Sequence, residues 1–200
     1  MANYTAADVK TLRERSGAGM MDCKGALDEA NGDLDKAMEV LRLKGLKGVT
    51  KREGRTTSNG LVVARVSGGT GYLIELACET DFVAKAPKFV ALAESVADAV
   101  AAAGSTDLAS ALKADLGGKS VEDAINDEAA IMGEKVELRR VASVSDAAVD
   151  AYLHRTSKDL PPQVGVLVAY SGSDAETAHD VAVHIAAFSP SVLTRDEVPA

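Results

Sequence analysis

Aromatic residues and cysteines are scarce in this chain of 200 residues. It has no tryptophan and only 4% aromatic residues, which are too few for a platform that stacks single-stranded nucleic acid. Its two cysteines, Cys23 and Cys78, are too few for a disulfide scaffold, so we expect a reducing compartment. With 46% hydrophobic and 26% charged residues, the chain can form a core without disulfides or a structural metal.

Long apolar runs are also missing. The longest weakly polar stretch, 95–104, is about half as long as a membrane span requires, and it contains Asp98. The first ten residues, MANYTAADVK, include no apolar segment of the kind found in signal peptides. The sequence therefore predicts a cytoplasmic protein that does not bind a membrane.

The net charge of −8 argues against nucleic acid as a direct partner, because binding to phosphates needs an excess of basic residues. Basic residues are concentrated in one segment, 41–55, which carries six of them together with three glycines. Since no apolar stripe continues beyond Leu46, the pattern predicts an exposed basic linker over 46–60. This linker is either a solvated connector or a tether that attracts an acidic partner.

Catalytic motifs are absent as well. No phosphate-binding loop of the GxxxxGK[ST] or GxGxxG type occurs, and the glycines within 68–71 are better explained by a hairpin turn. His154, His179 and His184 have no metal-binding spacing, and neither cysteine belongs to a CxxC pair. The sequence therefore predicts a protein that is not an enzyme and uses no cofactor and no metal.

The periodicity of residues 1–45 predicts three short helices. Thr5 and Asp8 have the spacing of a capping box at the start of the first helix. The second helix is predicted from about 21 to 30, and the third carries apolar residues at helical spacing over 34–41. We expect a compact three-helix bundle that is a satellite of a larger core, because about 45 residues are marginal for independent stability.

After the linker, the period changes from helices to strands. Residues 61–67 and 72–78 predict a β-hairpin, and apolar residues at helical spacing over 89–100 predict an amphipathic helix. Three further segments have the composition of strands: 136–144, 149–155 and 164–170. Separate runs of antiparallel strands and helices are typical of the α+β class.

An internal repeat is predicted within this second part of the chain. Residues 71–77 and 165–171 align, and each is followed by a long helical pattern. We therefore predict a core of two repeated subdomains, each an antiparallel sheet with a helix, over 61–118 and 119–200.

Two short segments are candidate binding sites. In 79–85 an acidic residue stands beside a large aromatic one at a strand–helix junction, from which both side chains can project outward. Alternatively, Thr80 or Asp81 caps the next helix and Phe82 packs into the core as a hydrophobic staple. In the second segment, 17–21, the paired methionines beside a glycine turn either fill the core or form an adaptable contact surface.

Several motifs together resemble the bacterial elongation factor Ts family. The three most specific are LRERSGAGMMDCKGAL (12–27), NGDLDKA (31–37) and ETDFVAK (79–85). Support comes from GEKVELRR (133–140), VGVLV (164–168) and VHIAA (183–187). The resemblance covers essentially the whole chain in the order of the family, whose members commonly continue beyond the DEVPA segment into a helical hairpin.

The resemblance implies a function and a partner. Members of the family are guanine nucleotide exchange factors, so the expected partner is elongation factor Tu in its GDP-bound and nucleotide-free forms. The amino-terminal bundle would resemble a ubiquitin-associated (UBA-like) domain. It would dock on the G domain of the partner through Arg13, Met20 and Met21.

The resemblance also assigns roles within the core. Thr80, Asp81, Phe82 and Val83 would dislodge Mg²⁺ from the partner. Phe82 would act as a wedge near the nucleotide pocket, with Asp81 beside it. The strand that carries His154 would reach a second domain of the partner.

Two other function classes compete with nucleotide exchange. A helical-bundle adaptor would bind a protein through the amino-terminal bundle and leave 79–85 with a purely structural role. A small hydrolase would use Asp81 with a histidine, although the sequence offers neither triad nor metal spacing.

Overall fold

The computed structural model describes the backbone of residues 3–199, and the side chains of that range except 46–51. Helices and antiparallel strands occur in separate runs, so the predicted α+β class is confirmed. In chain order the elements are α1 (Ala6–Ser16), α2 (Met20–Glu29), α3 (Leu34–Arg52), β1 (Asn59–Ser67), β2 (Thr70–Cys78), α4 (Asp81–Ala84), α5 (Pro87–Ala103), α6 (Leu108–Lys113), α7 (Val121–Met132), β3 (Val136–Ser145), β4 (Ala148–His154), β5 (Val164–Tyr170) and α8 (Ala175–Phe188).

The first three helices pack around a small apolar core of their own. The Thr5 hydroxyl accepts a hydrogen bond from the Asp8 N–H, and the Asp8 carboxylate accepts one from the Thr5 N–H, which confirms the predicted capping box. Gly17 ends α1 in the left-handed conformation, with φ 74°. The side chains that are fully buried between the helices are Leu12, Cys23, Ala26, Leu27 and Ala37.

The third helix is longer than the sequence pattern predicts, because α3 continues to Arg52 and thus includes residues 46–52 of the predicted linker. α3 packs against α7. A Cβ atom on Gly45 would lie 2.6 Å from the Cβ of Ala130, and Arg42 forms a 3.0 Å ion pair with Asp127. Packing of this kind outweighs the weak local helix propensity, so the linker does not begin at residue 46.

Three strands form the main sheet in the order β1–β2–β3, all antiparallel. β1 and β2 are the predicted hairpin, with Gly68 and Gly69 at its turn. The pairing of β2 with β3 ends where Cys78 faces Val136. The covering helix α5 buries Phe89 completely in the core beneath the sheet.

The packing of the core does not follow the predicted boundary between residues 118 and 119. β3 pairs with β2, and Val121 and Ile125 of α7 are buried in the same apolar cluster as Leu76. Residues up to the end of β3 therefore belong with the first sheet, because strand partners are chosen by tertiary packing rather than by sequence proximity. The internal repeat and the UBA-like type of the bundle stay predictions.

A second, two-stranded sheet is formed by β4 and β5, and α8 packs against it. Ala178 and Ala182 are the buried residues of α8. The two sheets approach closely where a Cβ atom on Gly165 would lie 2.6 Å from Leu73 Cδ1. A hydrogen bond of 2.9 Å from the Val62 N–H to the Pro162 carbonyl also joins β1 to the segment before β5.

Candidate functional site

The predicted segment around Phe82 forms a short turn at the point where β2 passes into α4. Thr80 is the N-cap of α4, and its hydroxyl oxygen accepts a 3.4 Å hydrogen bond from the Val83 N–H. Ala84 is fully buried, and Val83 is partly buried against the main core. The helix is therefore anchored on one side and presents its other side to solvent.

Phe82 lies on the solvent side of this turn, with 73% of its surface exposed. The alternative that Phe82 is a hydrophobic staple is therefore wrong, although its other half, capping by Thr80, is confirmed. Phe89, seven positions later, fills the core in its place. An exposed phenylalanine leaves a large apolar surface in water, which is available for burial against a partner.

Lys85 links the two most conspicuous side chains of the turn. Its Nζ lies 3.1 Å from Asp81 Oδ2 and 4.7 Å from the centroid of the Phe82 ring. Both interactions are weak at an exposed site, each worth about 1 kcal/mol or less. Lys85 therefore restrains Phe82 without preventing it from moving onto a partner.

Two glutamates fix the backbone on the core side of the turn. Glu134 accepts hydrogen bonds from the Thr80 N–H at 3.0 Å and from the Thr80 hydroxyl at 2.5 Å. Glu79 accepts a 2.6 Å hydrogen bond from the Lys135 N–H and forms a 3.3 Å ion pair with Arg55. The turn is thus tied to the segment between α7 and β3.

The thiol of Cys78 completes the contacts of Thr80 by donating a 3.3 Å hydrogen bond to its carbonyl oxygen. Burial raises the pKa of Cys78 to about 12, and the negative charge of Glu134 acts in the same direction. Cys78 is therefore a neutral structural donor near neutral pH rather than a nucleophile.

We expect Cys78 to resist alkylation in the folded protein. At pH 8 its reaction with iodoacetamide should be more than about a hundredfold slower than that of a free thiol, since burial and the raised pKa leave little accessible thiolate. Peptide mapping by mass spectrometry, with urea-unfolded protein as the control, measures this rate. Rapid labelling of Cys78 at an unchanged melting temperature would contradict the assignment.

The second predicted segment is also exposed. Met20 and Met21, at the start of α2, have 60% and 75% of their surface exposed, and Arg13 of α1 is exposed as well. The alternative that these methionines fill the core is therefore wrong. Cys23 and Leu27 of the same helix face the interior instead.

One hydrogen bond joins the neighbourhoods of the two segments. The Nζ of Lys88, at the start of α5, donates a 2.9 Å hydrogen bond to the carbonyl of Arg15 near the end of α1. A cation is favourable at this end of a helix, because the last carbonyl groups have no partner within it. The bundle is thereby attached beside the helix that follows the Phe82 turn.

His154 lies apart from both segments, at the exposed end of β4 in the second sheet. Its Nδ1 is 3.1 Å from the Tyr152 hydroxyl. His179 of α8 pairs with Asp150 of the same strand, at 3.1 Å. The structure brings neither histidine to Asp81, which pairs with Lys85.

Sequence reasoning missed the residues that hold the Phe82 turn. The sequence pattern gives Glu134 no role beyond its place in the motif 133–140, and it gives Lys85 and Lys88 none. An acidic residue directly after a helix-ending glycine is a weak signal, and its partner Thr80 is 54 positions away. Only the pairing of β2 with β3 brings these two residues together.

Neither a cluster of metal-ligating side chains nor a membrane-spanning helix occurs among the described residues. Within this part of the chain, His, Cys, Asp and Glu side chains form no group of three that could hold a metal ion. None of the helices described combines the length and the apolar character needed to cross a bilayer.

Comparisons with known proteins agree on one family. A family model described as "Elongation factor TS" matches residues 79–200, which include the Phe82 turn. Relatives named "Elongation factor Ts" from Pseudarthrobacter chlorophenolicus, Micrococcus luteus and Clavibacter michiganensis subsp. michiganensis are 59%, 61% and 60% identical to the chain. Each of these matches covers 100% of the chain and 73% of the relative.

Proposed function

The chain belongs to the elongation factor Ts family, and from this premise we propose that it is the guanine nucleotide exchange factor of elongation factor Tu in translation elongation. It would bind the GDP-bound form of that GTPase, accelerate release of GDP and hold the nucleotide-free form. Such a factor works in the cytoplasm and contacts neither nucleic acid nor membrane.

The observation that carries this proposal is the exposure of Phe82 on a turn whose backbone is held from behind. A phenylalanine is large and stiff, so its insertion into a partner buries apolar surface while it displaces polar groups. Because Thr80 and Val83 anchor the turn, little ordering entropy is lost when Phe82 inserts. Phe82 is therefore suited to act as the wedge near the nucleotide pocket.

Exchange requires no covalent chemistry from the factor. GDP leaves a GTPase slowly because its phosphates are held by Mg²⁺ and by backbone N–H groups. A factor that binds the nucleotide-free form more tightly must weaken nucleotide binding by the same coupling free energy. In our proposal, Phe82 and its neighbours Thr80, Asp81 and Val83 dislodge Mg²⁺, and the protein is neither an enzyme nor dependent on a cofactor.

Two other surfaces complete the proposed contact. Arg13, Met20 and Met21 of the UBA-like bundle would dock on the G domain, for which flexible, polarisable methionines provide an adaptable surface. The strand that carries His154 would contact a second domain of the partner. The exposure of all four side chains is compatible with these roles.

A protein-binding adaptor is the second candidate function. It is favoured by the exposure of Met20 and Met21 on a helical unit with its own small core. In that case the chain would bind its partner without releasing nucleotide. A hydrolase is disfavoured, because Asp81 pairs with Lys85 and His179 with Asp150.

Release of a fluorescent GDP analogue from elongation factor Tu tests the proposal. In stopped-flow experiments, the rate should rise with the concentration of the chain and reach a plateau far above the spontaneous rate. An adaptor would form a complex, measurable by calorimetry, yet leave the release rate unchanged. Such a result would overturn the exchange function.

We expect the double substitution Met20→Ala and Met21→Ala to weaken partner binding without destabilising the fold. Both side chains are exposed, so the change in unfolding free energy should stay within about 0.5 kcal/mol. Replacing buried Leu27 with Ala in the same helix is the matched control and should cost about 2–5 kcal/mol. Thermal unfolding measures the stability of each variant, and calorimetry measures its affinity for elongation factor Tu. A lower melting temperature of the double variant with unchanged affinity would reject the contact role of Met20 and Met21.

A further inference from the structure

The backbone around Phe82 lies just beyond the end of the β2–β3 ladder. The last paired residues of the two strands are Cys78 and Val136. Beyond this pair, the neighbouring strand provides no carbonyl acceptor for the N–H groups of Thr80 and Lys135. Partly buried backbone donors need other acceptors.

Each strand extension supplies the acceptor for the other. The Glu134 carboxylate accepts a 3.0 Å hydrogen bond from the Thr80 N–H, and the Glu79 carboxylate accepts a 2.6 Å hydrogen bond from the Lys135 N–H. These reciprocal bonds continue the connection between the strands with side chains in place of carbonyl groups. Hydrogen bonds to a charged acceptor are stronger than those between neutral groups.

Glu134 also fixes the side chain of the helix cap. Its second oxygen accepts from the Thr80 hydroxyl at 2.5 Å. With its proton directed to Glu134, the hydroxyl oxygen presents its free lone pairs to the Val83 N–H. The carboxylate thus determines both the position of Thr80 and the direction in which its hydroxyl caps α4.

We propose that Glu134 is the positioning residue that holds the Phe82 turn in the orientation required for nucleotide exchange. It touches neither Phe82 nor a partner in this role, but acts through Thr80. This inference rests on the proposed function and extends it to a residue of the segment between α7 and β3. The hydrogen bonds between Glu134 and Thr80, here called the clamp, keep Phe82 exposed and in a fixed orientation before the partner binds.

Limited proteolysis tests the clamp without the partner. Chymotrypsin cleaves after phenylalanine, and cleavage requires local opening of the chain. Glu134→Ala should increase the cleavage rate after Phe82 by at least about tenfold, since two charge-assisted hydrogen bonds are lost. Cleavage after the exposed Phe188 of α8 is the internal control and should not change. An unchanged rate after Phe82 would overturn the clamp.

GDP release from elongation factor Tu tests the positioning role. Glu134→Ala should lower the plateau rate about tenfold. The concentration needed for half the plateau should change less, because Met20 and Met21, which are proposed to dock on the partner, are unchanged. Glu134→Gln retains one acceptor oxygen and should recover most of the rate. If the alanine variant fails to fold, Glu134→Met, which has a similar length but neither carboxylate oxygen, replaces it and should show the same loss. Glu122→Ala, at an exposed glutamate of α7, is the matched control and should behave like the wild type.

A double-mutant cycle decides whether Glu134 acts through Phe82. If it does, Glu134→Ala combined with Phe82→Ala should be no slower than Phe82→Ala alone. Additive losses, or an unchanged plateau for Glu134→Ala alone, would overturn the positioning role. An unchanged plateau for Phe82→Ala would instead overturn the wedge of the proposed function, and the role in exchange inferred for Glu134 with it, while the proteolysis result for the clamp would stand.

Discussion

Replacing Phe82 with alanine should lower the plateau rate of GDP release by about ten- to hundredfold, because burying a phenylalanine contributes about 1.5–3 kcal/mol. The fold should be nearly unaffected, since 73% of the Phe82 surface is exposed. Stopped-flow release of fluorescent GDP measures the first effect, and thermal unfolding the second. Asp81→Ala should act in the same direction more weakly, since its carboxylate is balanced by Lys85.

Phe89→Ala is the matched control for this experiment. Phe89 is the same residue type seven positions later, but it is completely buried under the main sheet. Its replacement should cost about 3–5 kcal/mol of unfolding free energy. Equal plateau rates for wild type and Phe82→Ala would remove Phe82 from the mechanism, and a stability loss like that of Phe89→Ala would restore the staple interpretation.

Removing Mg²⁺ tests the proposed route of exchange with the same two proteins. If the factor acts by dislodging the metal, part of its stimulation should vanish when the metal is already absent. The difference between wild type and Phe82→Ala should then become smaller. A difference that is equally large with and without Mg²⁺ would show that Phe82 acts on the nucleotide by another route.

Gly45→Leu should displace the bundle surface that carries Met20 and Met21 from the Phe82 turn. A Cβ atom at this position would lie 2.6 Å from both the Cβ and the carbonyl oxygen of Ala130, and a carbonyl group of α7 cannot move aside as a flexible side chain can. Overpacking of this kind costs about 1–3 kcal/mol. The expected response is a displacement of α3 from α7, which changes the position of the bundle relative to the Phe82 turn.

Partner affinity should fall with this displacement, by about tenfold if 1.4 kcal/mol of the combined docking energy is lost. Calorimetry with elongation factor Tu measures the affinity, and urea unfolding the stability. Gly25→Leu, in α2 of the same bundle, is the matched control, because open space surrounds its Cβ position. Gly45→Leu with wild-type affinity would show that the α3–α7 contact does not align the two surfaces.

Two turn and cap features could be inferred from local patterns. Thr5 with Asp8 is a capping box that depends on four consecutive residues, and the glycines at 68 and 69 form a hairpin turn. Interactions between residues close in sequence determine both features, so a single sequence contains enough information for them. The sequence left Phe82 open between an outward-facing residue and a staple in the core, and the structure decided for exposure.

Features that depend on distant partners were not predicted. The helical segment 46–52 has three basic residues and one glycine, and nothing in its own pattern indicates that α3 packs on α7. The domain boundary predicted at 118/119 followed an apparent repeat, but β3 joined the first sheet by pairing with β2. In both cases, the energy of packing against a remote segment exceeds the small differences in local propensity.

The sequence by itself determined the α+β class, the order of most elements and the two segments that carry Phe82 and the paired methionines. Only the tertiary structure decided how these segments are held: Glu134 on Thr80, Lys88 on the end of α1, and Gly45 against Ala130. Local elements follow from short-range periodicity and capping. Their mutual positions depend on contacts between residues tens of positions apart, which leave no periodic signal in the chain.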